Sequence, residues 1–92
     1  MPDEVIHDET NQKFYIKHPD DESYLKYNLE NNDTIDFLST FVPPKYRNKG
    51  LASKIVIEGL NYARNRNLKV IPTCSFTRDL IDSNDEFKDL LK

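Results

Sequence analysis

At 92 residues the chain has the size of a single domain, 1–92, and is too short for two cores of independent stability. Its apolar and charged fractions, 37% and 32%, with Tyr, Phe, Leu, Ile and Val spread along the whole length, argue against disorder. A net charge of -3 gives no general basis for nucleic-acid binding, and no run of about 18 apolar residues exists to span a bilayer.

Four extended segments come first, each bounded by turn-type residues. Val5-Ile6 reads as a short edge strand that could support pairing, so a monomer or a weak dimer is expected. Lys13 to Lys17 alternates and is stopped by His18-Pro19-Asp20-Asp21. Ser23 to Leu29 sets Leu25, Tyr27 and Leu29 against Tyr24, Lys26 and Asn28, and Asn31-Asn32-Asp33 then reads as a tight hairpin turn. Thr34 to Val42 is the longest and most apolar segment, hence the central strand, and Pro43-Pro44 ends it because neither residue can donate a ladder hydrogen bond.

From Leu51 the period changes from two to a helical one. Leu51, Ile55 and Tyr62 form a stripe with Ala52, Val56, Leu60 and Ala63 beside it, which predicts an amphipathic helix of about four turns. Gly59 inside that helix implies close approach to a neighbouring strand. Lys69 to Thr73 is a further strand, and strand, helix and strand in this order predict a right-handed crossover with the two strands parallel. Ser75 to Leu91 reads as one or two short helices with Phe76, Leu80, Ile81, Phe87, Leu90 and Leu91 facing inward. Asp79, Asp82, Asp85, Glu86 and Asp89 read as their solvated face. The fold class is α+β (α/β), with antiparallel strands, a central strand-helix-strand crossover and C-terminal helices.

The junction before the long helix carries the clearest chemistry. Lys45-Tyr46-Arg47-Asn48-Lys49-Gly50-Leu51-Ala52 places three cations and a glycine at a helix start, where the first amides lack partners and the dipole favours an anion. Gly50 would let the backbone approach a phosphate, and the prolines would splay the end of the central strand from its neighbour. The plainer reading, a solvated basic turn at an ordinary helix start, stays open.

Arg47-x-x-Gly50-x-Ala52, set between a strand and a helix, resembles the signature of the Gcn5-related N-acetyltransferases. Thr40-Phe41-Val42-Pro43 and Val70-Ile71-Pro72-Thr73-Cys74-Ser75-Phe76 resemble two segments of the small stand-alone members of that family. The resemblance implies a minimal acetyltransferase fold that binds acetyl-CoA and serves an amine acceptor. Backbone groups of Asn48, Lys49, Gly50, Leu51 and Ala52, with Arg47, would receive the pyrophosphate. Phe41 and Val42 would pair with pantetheine like an extra strand. The resemblance also points to Cys74 as a nucleophile that accepts the acetyl group, against the alternative that it only packs.

Three departures from the family pattern bear on acid and base. Leu80 stands where a tyrosine is usual, Ser39 replaces the His of a His-Thr pair, and Asn84-Asp85 replaces His-Pro. They keep open a non-catalytic acyl-CoA-binding or protein-interaction module. The helical insert usual after the first strand is missing, which implies an open acceptor side.

A lone cysteine, Cys74, excludes an internal disulfide and fits a reducing compartment. The opening Met1-Pro2-Asp3-Glu4 lacks the basic and apolar regions of a secretory signal, so a soluble, cytoplasmic protein is expected. His7 and His18 lie on separate segments, a poor spacing for a metal, and read as surface histidines without partners. Tyr15, Tyr24 and Tyr27 read as strand-face packing. Neither nucleic acid, membrane nor metal is expected as a partner.

Overall fold

A computed structural model describes residues 4–92, so most of the signal-peptide reading at Met1 to Glu4 lies outside it. Strands β1 (Ile6–Asp8), β2 (Lys13–Lys17), β3 (Glu22–Glu30), β4 (Thr34–Phe41) and β5 (Lys69–Ile71) form one sheet in sequential order. The first four pair antiparallel, and β5 lies parallel to β4. Helix α1 (Leu51–Asn65) makes the crossover between them, α2 (Ser75–Ser83) follows β5, and 3-10 turns occupy Pro44–Tyr46 and Asp85–Leu90. The chain end returns to the sheet beside β5 through Val70 and Leu91. Among the described residues no helix is long and apolar enough to cross a membrane.

The hairpin between β3 and β4 forms where two asparagines tolerate left-handed backbone. Asn31 and Asn32 have φ of 53° and 62°, and the Asp33 amide reaches the Glu30 carbonyl at 3.2 Å. Alternation along β2 and β3 buries Phe14, Ile16, Leu25 and Tyr27 on one face. Leu51, Ile55, Val56, Leu60 and Ala63 of α1 join the same core. Burying each large apolar side chain contributes about 1.5–3 kcal/mol. Gly59 is needed for this fit, since a Cβ there would lie 3.0 Å from both Leu25 Cδ2 and Phe37 Cζ.

β4 is not regular. Tyr27 pairs with Phe37 and Lys26 with Ser39, so Leu38 is an extra residue, a β-bulge. Before the bulge Ile35 and Phe37 point into the core. After it the parity flips, Thr40 stands opposite the buried Leu25, and Leu38 is left 42% exposed. The bulge therefore decides which residues at the end of β4 look toward the helices.

Both histidines depart from the surface reading. His7 stacks on Phe14 with ring centroids 4.0 Å apart, meets Tyr62 edge-on at 4.5 Å, and places Nε2 2.5 Å from the Tyr27 hydroxyl. Burial lowers its pKa most, helped by Arg66 and opposed by Glu9 and Asp8. A folded value below the unfolded 6.5 means that the unfolded chain takes the proton first. The stability this histidine contributes is thus present above about pH 6.5 and lost as pH falls through the folded value. Urea midpoints measured from pH 8 to 5 should be flat and then decline, and His7→Gln should remove that part of the decline.

Phe76 also departs from expectation. It is 37% exposed, whereas Leu80, Ile81, Phe87 and Leu90 are buried and Leu91 is half-buried. Of the acidic residues expected to be solvated, Asp89 holds Arg64 through both carboxylate oxygens at 3.0 Å, which ties α1 to the C-terminal turn. Asp85 pairs with Lys88 at 2.8 Å.

Candidate functional site

Pairing between β4 and β5 covers only Thr34 to Asp36 against Lys69 to Ile71. Beyond it the chain after β5 makes one further backbone hydrogen bond to β4, from the Cys74 amide to the Phe37 carbonyl at 2.8 Å, and among the described residues the end of β4 has no strand partner on that side. A cleft of about 400 Å³ opens there, within the range of small-ligand sites. Thr40 and Val42 form one wall. Tyr46, Arg47, Asn48 and Gly50 form the loop side, and Leu51, Ala52 and Ser53 of α1 with Phe76 of α2 close it.

The loop is shaped by two residues of positive φ, Asn48 at 65° and Gly50 at 76°. Gly50 is the residue before α1, and its carbonyl accepts the Lys54 amide at 3.1 Å. Among the described residues no side chain caps α1, and no acidic residue stands in its first turn; the same holds for α2, which begins after Cys74. The uncapped start of α1 thus meets the cleft, and its partial positive charge favours an anion there. Space is not the reason for glycine at position 50, because a Cβ would meet nothing within 4 Å. The left-handed backbone is the reason.

Of the residues expected to hold the coenzyme, Val42, Arg47, Asn48, Gly50, Leu51 and Ala52 line this cleft. Phe41 and Lys49 do not belong to its wall. Because of the bulge, the Phe41 side chain lies on the other face of the sheet, 5.6 Å from the Tyr24 ring, and only its backbone borders the strand end. Lys49 is exposed with its ammonium 5.9 Å from the Tyr46 ring centre. Lys45 is committed elsewhere, 2.9 Å from Asp20. Arg47 donates from Nε to the Val42 carbonyl at 2.8 Å, which links the loop to the end of β4.

The loop is braced from the β2–β3 turn, a feature that sequence reasoning missed. His18 is only 7% exposed, with Nε2 2.7 Å from Ser23 Oγ, and its ring stacks on Tyr46 at 3.8 Å. Tyr46 donates its hydroxyl to Asp20 at 2.9 Å. Lys45 first and then Tyr46 hold the Asp20 carboxyl below its ordinary pKa. The phenol at the cleft is therefore engaged with a carboxylate and not poised over the cleft as an acid. Leu80, where the resemblance would place a tyrosine, is buried.

Cys74 sits just behind the wall, half-buried, with Sγ 3.3 Å from Thr40 Oγ1. Burial pushes its thiol up, but the Thr40 hydroxyl, the amides of Thr77 and Phe76 and the Thr77 hydroxyl outweigh it, leaving the pKa below the ordinary value. Neither amide makes a full hydrogen bond to the sulfur in this geometry, so their effect is that of nearby dipoles. Among the described residues no three His, Cys, Asp or Glu side chains converge as a metal site.

A family model for GCN5-related N-acetyltransferases matches residues 13–90, most of the chain and all of this cleft. This protein is a Gcn5-related N-acetyltransferase family member. It is also similar to a GCN5-like protein of Staphylococcus aureus whose solution structure was determined by NMR, with a TM-score of 0.78 and 25% identity over 99% of this chain and 89% of the other. Membership supports acetyltransferase chemistry, and the family uses acetyl-CoA as co-substrate. In this Gcn5-related chain the loop before α1 borders the cleft where β4 and β5 part.

Proposed function

We propose that the protein binds acetyl-CoA in the cleft between β4 and α1 and transfers the acetyl group to a primary amine. The observation that carries this reading is the uncapped, glycine-led start of α1 at a cleft beside the unpaired end of a strand. Amides of the 48–52 segment would receive the pyrophosphate, with Arg47 as the nearest cation. The pantetheine arm would run along Thr40 to Val42, which brings the thioester toward Cys74.

With Cys74 as acetyl carrier, its thiolate attacks the thioester carbonyl, the bond from carbon to the coenzyme sulfur breaks, and coenzyme A leaves as thiolate to be protonated by solvent. A neutral amine then attacks the acetyl-cysteine, releases the Cys74 thiolate and loses its extra proton to water. Exchange of one thioester for another is close to balanced in energy, so the first step needs no large driving force.

Mixing the protein with acetyl-CoA should produce an acetyl adduct in intact-mass spectra, and Cys74→Ser should reduce it to background. Calorimetry with coenzyme A tests binding, and release of free thiol with an amine panel tests turnover. An adduct of equal size on Cys74→Ser would remove the covalent route while leaving direct attack by the amine.

A second reading, a non-catalytic acyl-CoA-binding or protein-interaction module, is favoured by one observation. The cleft offers no free phenol, since Leu80 replaces the tyrosine and Tyr46 donates to Asp20. Binding without thiol release above buffer for any amine would select it.

A further inference from the structure

Thr77 is fully buried, and among the described residues its Oγ1 has no partner in hydrogen-bond geometry, although it lies near enough to the Cys74 sulfur to favour the thiolate. A hydroxyl buried in that state is unfavourable, and valine would fill the same space without the penalty. Thr77 is the third residue of α2, whose N-cap is Cys74. That is the spacing at which the side chain before a helix faces the third residue inside it. Thr40 Oγ1 stands 3.3 Å from the same sulfur. The backbone of Cys74 is fixed at both groups, its amide to the Phe37 carbonyl at 2.8 Å and its carbonyl to the Arg78 amide at 3.1 Å. The sulfur thus has a hydroxyl of β4 at hydrogen-bond distance and the unpaired hydroxyl of α2 at capping-box spacing, at the start of a helix whose first turn carries no acid.

A thiol is a weak donor and a weak acceptor and has little to offer two hydroxyls. A thiolate is a strong acceptor and can take a hydrogen bond from each. We propose that Thr77 is a positioning residue for Cys74, whose unpaired hydroxyl turns to the sulfur when it ionises and, with Thr40, holds it as thiolate. The proton released goes to solvent, and no other group changes charge. The net downward displacement of the thiol pKa, in which both hydroxyls act against burial, agrees with this arrangement. The inference rests on the reading of Cys74 as acetyl carrier, but ionisation is a property of the protein without coenzyme and is measured without it.

Because Cys74 is the sole cysteine, the rate of alkylation by iodoacetamide as a function of pH reports its ionisation alone. The wild-type protein should titrate below the ordinary thiol value of about 8.5. Thr77→Val should raise the apparent pKa by about one unit, a tenfold loss of thiolate at neutral pH, while Thr77→Ser should restore the wild-type profile. Thr40→Val should raise it in the same direction. Thr77→Val should melt at or above the wild-type temperature, since the orphaned hydroxyl is gone; if it melts early, Thr77→Ala provides the same comparison of ionisation. A Thr77→Val or Thr77→Ala profile identical to wild type would overturn the proposal, and so would a Thr77→Ser profile that follows valine. Loss of coenzyme binding in calorimetry would instead sink the functional reading and leave these profiles where they are.

Discussion

Gly59→Val should lower stability by about 3 kcal/mol, at the upper end of what overpacking a core costs. A Cβ at position 59 already lies 3.0 Å from Leu25 Cδ2 and Phe37 Cζ, and both of those side chains are fully buried. Valine adds two methyl groups beyond that point, and the core has no free direction in which to move them. The better helix propensity of valine returns only a few tenths of a kcal/mol. For a domain of this size, that loss corresponds to a melting temperature lower by roughly 12–24 °C. Gly59→Ala sets a helix gain of about 1 kcal/mol against a milder crowding, so it should stay within about 1 kcal/mol of wild type. Thermal melts of the three proteins check the argument. Gly59→Val melting with the wild type would mean that α1 does not approach β3 and β4 this closely.

Gly59 was readable in the sequence because a helical period that continues through a glycine demands a reason, and close packing on a strand is the usual one. The hairpin at Asn31-Asn32 was readable for a similar cause, since few residues besides glycine accept left-handed backbone at low cost. The parallel pairing of β4 with β5 followed from chirality and order. Each of these is a local demand with a single inexpensive solution.

The features that were not readable depend on contacts between segments distant in the chain. Nothing in Thr34 to Phe41 marks Leu38 as the extra residue, yet the bulge turns Thr40 toward Cys74 and Phe41 toward Tyr24. His18 resembles a solvated turn residue until Tyr46, from another segment, covers its ring. Phe76 fits an inward helical stripe by period, but the parting of the strands leaves a cleft where its neighbours would have been. Thr77 was missed although a signal existed in the three-residue step from Cys74, a spacing usually sought with serine or threonine, not cysteine, at the helix start.

Gly50→Val should weaken coenzyme A binding at least tenfold, a loss of about 1.4 kcal/mol, with the fold retained. The backbone at Gly50 has φ of 76°, a region where a β-branched residue is a true outlier. Holding an L-residue there costs about 1–2 kcal/mol. Since no atom lies within 4 Å of a Cβ at this position, the cost is one of backbone and not of collision. The chain can relieve it by rotating the peptide planes around Asn48 to Ala52, and those planes carry the amides proposed to face the pyrophosphate. Stability should fall by no more than the strain itself, because Gly50 is exposed and outside the core. Lys45→Ala is the matched control. It removes a cation from the same segment, but one whose ammonium is held by Asp20, so affinity should stay within about twofold, as for other exposed ion pairs worth under about 1 kcal/mol. If Gly50→Val binds coenzyme A as tightly as wild type, the amides of this loop do not hold the pyrophosphate. If Lys45→Ala weakens binding as much as Gly50→Val does, the loop attracts the coenzyme by charge alone and its left-handed geometry is incidental.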